Sequence, residues 1–395
     1  MMEIGLVGAP NSGKSTFFNA ATLLNAEVGN RPFVTIKPNQ GTAYVKVECP
    51  HKELGQKCEP QHGYCIDGWR FVNVIFWDVA GLVPDAWQGK GLGNQFLNDI
   101  MQAKALIHVL DASGSTDTHG EVLGEGSFDP TITVEFLEKE ISYWIRGIVQ
   151  KNWKDTAKRA TASNIVDAVA TQLSGLGVTV EDVKQVLLME EFSARPTDWT
   201  DDTLLVLAEE IRAKSKPMVI AANKADLKSG KENLGKLKTT FPEETIIPTS
   251  AEAELALRKA HEHGLIHYVP GSNDFKELKE IPEKQKKGLE FIRENILKEY
   301  GGTGVQEIIN KTAFELLDLM VVFPVQDANK WMSSKGNILP DAHLLKKGST
   351  AQQLAYKIHT DIGDKFVAAI NCRTQQKIGK DTELKHMDVV KIITR

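Results

Sequence analysis

One short segment near the N-terminus constrains the fold more than any other part of the chain. Residues Gly8–Ser15 read G-A-P-N-S-G-K-S, which fits the pattern G-x-x-x-x-G-K-[ST]. The apolar run Glu3–Gly8 precedes the glycines, and an apolar pattern at helical spacing begins at Phe17. A strand, a glycine-rich loop and a helix in this order predict a phosphate-binding loop, because backbone N–H groups and a helix N-terminus converge on an anion.

The residue types in this loop match the chemistry of a nucleoside triphosphate. The Lys14 ammonium is expected to reach the β- and γ-phosphates, and the Ser15 hydroxyl is expected to bind Mg²⁺. The glycines let the backbone approach phosphate oxygens closely. The predicted nucleotide-binding residues of the loop are Gly8, Ala9, Pro10, Asn11, Ser12, Gly13, Lys14, Ser15 and Thr16.

Two further segments predict the metal and γ-phosphate side of the same site. The β-rich run Val72–Trp77 ends at Asp78, and Gly81 follows three residues later. We expect Asp78 to hold Mg²⁺ through water and the Gly81 N–H to contact the γ-phosphate. Thr35, in the loop before a strand at Gly41–Val47, would complete the Mg²⁺ shell with its hydroxyl. The alternative for Thr35 is an ordinary threonine in extended backbone.

Two more segments predict how the base is chosen. The buried run Pro217–Ala222 delivers N-K-x-D, and the run Thr245–Thr249 leads into Ser-Ala. A carboxylate at the last position of N-K-x-D can accept two hydrogen bonds from guanine N1–H and N2–H. Adenine lacks this donor pair, so pairing with adenine leaves the carboxylate unsatisfied. The predicted base-side residues are Asn223, Lys224, Asp226, Ser250 and Ala251.

Taken together, the motifs resemble those of the Obg-related GTPases, and most closely the YchF-type branch in its archaeal form. The C-terminal segment resembles a TGS domain, a small ubiquitin-like β-grasp module. The resemblance implies a translation-associated, ribosome-linked nucleotidase. It rests on GAPNSGKST at 8–16, RPFVTIKPN at 31–39, DVAGLV at 78–83, GKGLGNQFL at 89–97 and NKAD at 223–226.

Two departures from the family pattern matter for activity. YchF-type proteins of bacteria and eukaryotes usually carry Glu in place of Asp226 and prefer ATP, so Asp226 favours GTP here. Leu82 stands where many GTPases place a water-orienting Gln, which implies slow intrinsic hydrolysis. A partner's arginine or a K⁺ ion could supply the missing charge. Asn11 resembles the asparagine that holds K⁺ in potassium-activated relatives, and its alternative role is to stabilise the turn.

The predicted fold class is α/β. Residues 1–112 and 216–318 form a P-loop GTPase domain with a mostly parallel sheet and helices on both faces. Residues 113–215 form an α-helical insertion, in which Thr179 and Asp182 have the spacing of a capping box. Residues 319–395 form the TGS domain with its β-grasp. The insertion is interpreted as a partner-binding arm, and the alternative is extra core packed on the sheet.

Charge is distributed unevenly over the 395 residues. The chain has a net charge of −5, but residues 320–395 carry +5 and the remainder −10. This asymmetry hints that the C-terminal part meets something anionic, but charge alone favours an ordinary lysine-rich surface. Docking on RNA or a ribosome through the TGS domain and the insertion is what the family resemblance implies. No apolar stretch reaches 18 residues and no leader is visible, so a cytoplasmic protein without membrane contact is expected. A monomer is also expected.

Cysteine and histidine crowd one segment between Thr35 and Asp78. Three cysteines and two histidines within seventeen residues can bind Zn²⁺ tetrahedrally, although paired C-x₂-C spacing is missing. A disulfide or free thiols are the alternatives. The predicted ligands are Cys49, Cys58 and Cys65 with His51 or His62.

The predicted function is hydrolysis of GTP to GDP and phosphate by a ribosome-associated molecular switch. The predicted catalytic residues are Lys14, Thr35 and Gly81, and the cofactor is Mg²⁺. One alternative is an ATP-preferring nucleotidase of the same family. The other is an RNA- or ribosome-docking module with little turnover of its own.

Overall fold

The computed structural model describes residues 2–23, 39–79, 81–88, 100–160, 164–190 and 192–395. Packing divides the chain into two compact units. The first holds Glu3–Gly41 and Ile75–Ile308, and the second holds Thr42–Val74 together with Ile309–Arg395. The second unit therefore joins two segments that are far apart in sequence. This division does not test the domain boundaries predicted at residues 113, 216 and 319, which stay predictions.

Strands are numbered in chain order. Their bounds are β1 Glu3–Val7, β2 Asn39–Glu48, β3 Tyr64–Ile66, β4 Trp69–Asp78, β5 Ala105–Asp111, β6 Met218–Asn223, β7 Ile246–Pro248, β8 Ile266–His267, β9 Lys276–Glu277, β10 Leu319–Val325, β11 His343–Lys346, β12 Phe366–Asn371, β13 Gln376–Ile378 and β14 Val389–Thr394.

Helices are numbered in the same way. Their bounds are α1 Lys14–Thr22, α2 His51–Leu54, α3 Pro130–Gln150, α4 Trp153–Arg159, α5 Ile165–Leu173, α6 Val180–Met189, α7 Asp201–Ser215, α8 Lys228–Thr240, α9 Ala251–Glu262, α10 Glu283–Ile292, α11 Lys298–Tyr300, α12 Val305–Lys311, α13 Ala351–Ile358 and α14 Thr360–Asp364.

A parallel sheet forms the centre of the first unit, which confirms the predicted α/β class. Its strands lie in the order β4-β1-β5-β6-β7. Every residue of β5 and β6 is buried, as expected for parallel strands that are covered on both faces. The carboxyl ends of these strands meet at one edge, so the segments that follow them can build one site.

The helical insertion, α3 to α7, packs its apolar side chains into a core that is continuous with the sheet. Leu137, Ile141 and Ile145 of α3 share one cluster with Val7 of β1 and Leu106 of β5. The predicted capping box at the start of α6 is present, with Thr179 and Asp182 bonded reciprocally. The insertion thus contributes core to the sheet, and its role as a partner-binding arm stays a prediction. Among the described residues, no helix has the length and apolar character that crossing a membrane requires.

The second unit contains a five-stranded sheet in the order β11-β10-β14-β12-β13, with α13 packed against it. Strands β10 and β14 are parallel, and the other pairs are antiparallel. Met320, Val322, Leu354 and Val390 form its core. This arrangement matches the predicted β-grasp. Strands β2 and β3 and the first part of β4 belong to the same unit.

Candidate nucleotide-binding site

The loop between β1 and α1 depends on glycine at both of its ends. Gly8 has φ 149°, and a Cβ placed there would lie 2.3 Å from the Val109 carbonyl oxygen. Gly13 has φ 96°, and a Cβ there would lie 2.2 Å from Asn223 Nδ2. Both positions combine a left-handed backbone with a close approach, so only glycine fits them. Helix α1 begins at Lys14, directly after this loop, and contains the predicted apolar positions Phe17 and Phe18, both of which are buried.

The Lys14 side chain lies against its own loop. Its Nζ donates to the Ala9 carbonyl oxygen at 3.0 Å, and only 6% of the residue is exposed. Burial lowers the pKa of Lys14 to about 8, and the nearby Asp78 carboxylate opposes this shift. The ammonium is thus desolvated in advance, which strengthens its attraction to a phosphate.

Ser15 and Asp78 meet as the sequence predicts. Asp78 is fully buried at the end of β4, and Ser15 Oγ donates to its Oδ2 at 2.9 Å. A hydroxyl and a carboxylate side by side are the hard oxygen donors that Mg²⁺ prefers. The donor set therefore fits a magnesium ion. The third predicted ligand, Thr35, lies outside the described residues.

The segment after Asp78 runs against the phosphate-binding loop. A Cβ added to Gly81 would lie 2.9 Å from the Pro10 ring, and the Leu82 N–H donates to the Gly8 carbonyl at 3.1 Å. The Leu82 side chain is 1% exposed and belongs to the apolar cluster beneath the sheet. Leu82 therefore acts as a packing residue in this structure.

Asn223 joins the base-side segments to the phosphate-binding loop. Its Nδ2 donates to the Ser12 carbonyl at 3.0 Å, and its Oδ1 accepts from the Ala251 N–H at 3.1 Å. The asparagine amide has one donor group and one acceptor, and both are used here. Ser250 precedes α9, and its N–H donates to the Thr303 carbonyl at 2.9 Å. The structure thus brings three of the predicted motifs together.

Lys224 is held by an acidic residue that the sequence reading missed. Lys224 Nζ lies 2.8 Å from Asp111 Oδ2, 3.1 Å from Ser115 Oγ and 3.4 Å from the Asn11 carbonyl. Asp111 ends β5 and is the register partner of Asn223 on β6. Parallel pairing therefore places the carboxylate next to the lysine. The sequence signal that could have identified Asp111 is an aspartate at the end of an apolar strand.

Asp111 also organises the loop that follows β5. Its carboxylate accepts hydrogen bonds from the hydroxyls of Ser113, Ser115 and Thr116, at 2.6, 2.7 and 2.9 Å. Burial would raise the pKa of the Asp111 carboxyl, but the Lys224 charge and these hydrogen bonds together lower it. The ionised carboxylate is thus the stable form at neutral pH.

The loop at 113–127 contacts the phosphate-binding loop, a contact that composition alone does not predict. Asn11 Nδ2 donates to the Gly120 carbonyl at 2.8 Å. A Cβ on Gly120 would lie 2.5 Å from Pro10 Cβ, so the two backbones approach closely. Asn11 itself has φ 61°, which asparagine tolerates better than most residues. The amide nitrogen of Asn11 therefore ties the two loops together.

Asp226 lies half-buried beside a second residue that the sequence reading missed. The Tyr300 hydroxyl donates to the Ala225 carbonyl at 2.9 Å, immediately before Asp226. Burial raises the pKa of Tyr300, and the Glu299 and Asp226 charges add to the shift. Tyr300 therefore remains neutral and supports the backbone that carries Asp226.

The predicted metal-binding cysteines come together in the second unit. The ligand atoms of Cys49, His51, Cys58 and Cys65 all lie within 4.8 Å of one another. His62 is 76% exposed, with its Nε2 4.0 Å from Asp341. The structure thus selects His51 and not His62 as the fourth member of the cluster.

Comparison with known proteins identifies the family. Three family models match successive parts of the chain. They are described as 50S ribosome-binding GTPase at residues 3–136, Obg-like GTPase YGR210-like, G4 motif-containing domain at residues 221–327, and TGS domain at residues 335–394. An uncharacterized GTP-binding protein of Methanocaldococcus jannaschii is 50% identical, with 100% of this chain and 99% of the relative covered.

The chain belongs to the YchF family of Obg-like GTP-binding proteins. A crystal structure of a GTP-binding protein from Pyrococcus horikoshii matches this YchF-family chain with a TM-score of 0.78 and 42% identity, covering 100% of both chains. The YchF GTPase of Schizosaccharomyces pombe shares the fold with a TM-score of 0.56 and 20% identity, over 99% of this chain and 97% of its own.

Proposed function

We propose that this YchF-family protein hydrolyses GTP to GDP and phosphate and acts as a slow, ribosome-associated switch. One observation carries the proposal. Asn223 bonds both Ser12 of the phosphate-binding loop and Ala251 of the base-side segment, while Ser15 bonds Asp78 on the neighbouring strand. These contacts within the first unit support a single nucleotide site with a phosphate, a metal and a base side.

Base choice follows from Asp226. The carboxylate is half-buried, so part of its hydration is lost before any base binds. Guanine supplies N1–H and N2–H as two donors, whereas adenine leaves the carboxylate unpaired at a cost of about 1–3 kcal/mol or more. GTP is therefore the preferred substrate, and an ATP-preferring enzyme is the outcome that would reject this assignment.

The chemistry is an in-line attack of water on the γ-phosphate. Mg²⁺, when bound, would supply positive charge that stabilises the charge developing on the phosphates. Lys14 provides a desolvated ammonium at the same phosphates, and the Gly81 N–H contacts the γ-phosphate. Ser15 and Asp78 would hold the metal, and Thr35 is proposed as its further ligand.

Leu82 stands where many GTPases place the glutamine that orients the attacking water. The Leu82 side chain is a hydrocarbon without a donor or an acceptor, and it is buried in the apolar cluster. Slow intrinsic turnover follows. Activation then requires an added positive charge, either an arginine of a partner or K⁺ held near Asn11.

Association with the ribosome rests on the C-terminal module. The match to a TGS domain at residues 335–394 and the net charge of +5 over residues 320–395 support contact with an RNA phosphate backbone. The description of the N-terminal family model as a 50S ribosome-binding GTPase supports the same partner. The helical insertion is the second proposed contact.

Two measurements test the function. Calorimetric titration with GTP and ATP reports base choice, and equal affinity for both would overturn the assignment to GTP. Phosphate release measured with and without ribosomes reports activity. Turnover that is slow alone and accelerated by ribosomes supports the switch. Absence of hydrolysis in both conditions would instead indicate an RNA- or ribosome-docking module.

A further inference from the structure

The second unit holds a cluster of four soft ligand atoms that the nucleotide chemistry does not use. Cys49 Sγ and Cys58 Sγ lie 3.6 Å apart. His51 Nδ1 lies 3.2 Å from Cys58 Sγ and 3.6 Å from Cys65 Sγ. All four ligand atoms lie within 4.8 Å of one another. They therefore surround one point in space.

These separations match the edges of a metal tetrahedron. With Zn–S of about 2.3 Å and Zn–N of about 2.0–2.1 Å, tetrahedral geometry separates two sulfurs by about 3.8 Å and a sulfur from a nitrogen by about 3.6 Å. The three separations above, 3.6, 3.2 and 3.6 Å, lie within about 0.4 Å of these values. The remaining separations are at most 4.8 Å, so side-chain shifts of up to about 1 Å are enough to place an ion at the centre.

Local backbone structure explains how residues sixteen positions apart meet. Asp67 and Gly68 have φ 50° and 79°, as a two-residue hairpin turn of type I′ requires, and they connect β3 to β4. The Cys49 N–H donates to the Gly68 carbonyl at 2.7 Å, which places Cys49 beside this hairpin. Cys65 lies within β3. Backbone hydrogen bonds therefore fix the positions of two members of the cluster, Cys49 and Cys65.

The segment between the first and last ligands lacks a hydrophobic core of its own. No residue from His51 to Asp67 is fully buried. The segment nevertheless makes defined contacts within the second unit, since the N–H groups of Glu59 and Gln61 donate to the Ile338 and Pro340 carbonyls at 2.9 and 2.8 Å. Small folded segments without a core usually require a metal or disulfides.

Electrostatics favour an anionic metal centre at this place. Arg70 is the register partner of Cys65 and is fully buried. Its guanidinium donates to the carbonyls of Leu339 and Pro340, and no carboxylate of the described residues lies within ion-pair distance of it. Three thiolates and one Zn²⁺ carry a net charge of −1, which compensates the buried arginine.

We propose that Cys49, His51, Cys58 and Cys65 bind one structural Zn²⁺ ion. Four protein ligands leave no open coordination position, which is typical of structural zinc sites and not of catalytic ones. The mixed sulfur and nitrogen set selects zinc over magnesium or calcium. The ion fixes the loop whose backbone pairs with Ile338 and Pro340, and so joins the segment at 42–74 to the C-terminal module of the same unit.

The test begins with the full-length protein, purified without a polyhistidine tag in the presence of reductant. Elemental analysis is expected to find about one zinc per chain. After chelation, addition of Co²⁺ is expected to produce thiolate-to-cobalt charge-transfer absorption and the visible bands of tetrahedral Co²⁺. A zinc-free protein that also fails to bind added Zn²⁺ or Co²⁺ would overturn the proposal, as would iron in place of zinc.

Matched variants then assign the ligands. Cys58→Ser and His51→Ala should lose the zinc, whereas Cys372→Ser and His62→Ala should keep it, since neither residue belongs to the cluster. Cys65→His controls for loss of zinc through misfolding, because histidine is also a zinc ligand. This variant should retain the ion and show an altered cobalt spectrum. Full zinc content in Cys58→Ser and His51→Ala alike would reject this ligand set.

A disulfide is the competing explanation, and thiol titration of the unreduced protein separates the two. The zinc site predicts four titratable thiols after denaturation in the presence of a chelator, one for each cysteine of the chain. Two titratable thiols in a zinc-free protein would indicate a disulfide and not a metal site. Chelation should also lower the thermal midpoint of the parent protein and leave that of Cys58→Ser unchanged.

Discussion

Lys224 Nζ lies 2.8 Å from Asp111 Oδ2, so the lysine of the base-reading segment is fixed by the end of the neighbouring strand. Asp111 is 5% exposed and accepts three hydroxyl hydrogen bonds in addition. This pair joins three segments: the base-reading turn, the loop at 113–127 and, through the Asn11 carbonyl, the phosphate-binding loop. The geometry of the proposed base side of the site therefore depends on a residue outside the recognised motifs.

The first prediction tests this pair. Asp111→Asn keeps the shape but removes the charge, and should lower the free energy of unfolding by about 1.5–3 kcal/mol and weaken GTP binding. A double-mutant cycle with Lys224→Met, read by chemical denaturation and by calorimetry, isolates the coupling between the two residues. Strictly additive effects would show that the ion pair is not what positions Lys224.

The second prediction concerns the pH dependence set by Lys14. Its pKa is about 8 in the nucleotide-free protein because burial disfavours the charge. The triphosphate stabilises the ammonium, so the pKa is higher in the complex and binding above pH 8 takes up a proton. GTP affinity should therefore fall as pH rises above 8, by up to about tenfold per unit.

Calorimetry at pH 8.5 in two buffers of different ionisation enthalpy measures this proton uptake directly. Lys14→Arg is the matched control, because arginine stays charged throughout this range and its complex should show no such proton uptake. An identical enthalpy in both buffers for the parent protein would contradict the depressed pKa.

The third prediction concerns base choice. Asp226→Asn replaces an acceptor pair by one acceptor and one donor, which suits xanthine and not guanine. GTP affinity should fall roughly 10- to 150-fold, the cost of losing a hydrogen bond to a charged group, while xanthosine triphosphate binds more tightly. Competition titrations measure both. The control variant Asp226→Ala should lose the preference for GTP over ATP without gaining affinity for xanthosine triphosphate.

The fourth prediction separates two roles of Asn11. If Asn11 helps to hold a cation, K⁺ should accelerate GTP hydrolysis relative to Na⁺ and Asn11→Ala should remove the difference. The structure shows that Asn11 also donates to Gly120. Asn11→Asp retains an oxygen ligand and tolerates the left-handed backbone, but loses this donor.

Steady-state phosphate release in K⁺ and in Na⁺ therefore decides between the roles. A K⁺ effect preserved in Asn11→Asp supports the cation site. Loss of the K⁺ effect in both Asn11→Asp and Asn11→Ala would show that the effect depends on the contact with Gly120. Equal rates of the parent protein in both salts, with and without ribosomes, would leave a partner's residue as the source of charge.

The fifth prediction concerns Leu82. The side chain is buried in the apolar cluster, so Leu82→Ala should reduce the free energy of unfolding by about 2–5 kcal/mol. Hydrolysis at saturating GTP, measured well below the unfolding temperature, should change little. Leu82→Met should cost less than about 1.5 kcal/mol. A large loss of turnover without a loss of stability would give Leu82 a role in the chemistry.

Much of the site could be predicted because its motifs are local. Gly8, Gly13 and Lys14 follow one strand, and Asp78 ends another, so short stretches of sequence carry both the element and the chemistry. The P-loop GTPase fold that these motifs indicate also implied the mostly parallel sheet. A capping box such as Thr179 with Asp182 is equally local, since its two hydrogen bonds span three residues.

Tertiary structure alone decided what depends on contacts between distant segments. Asp111 reaches Lys224 across 113 residues, Asn11 reaches Gly120 across 109, and the insertion shares a core with β1 and β5. The choice of His51 over His62 has the same origin, because spacing permits both and only His51 lies beside the thiols in the folded chain. Local patterns specify which groups a chain offers, and the pairing of strands and loops specifies which of these groups meet.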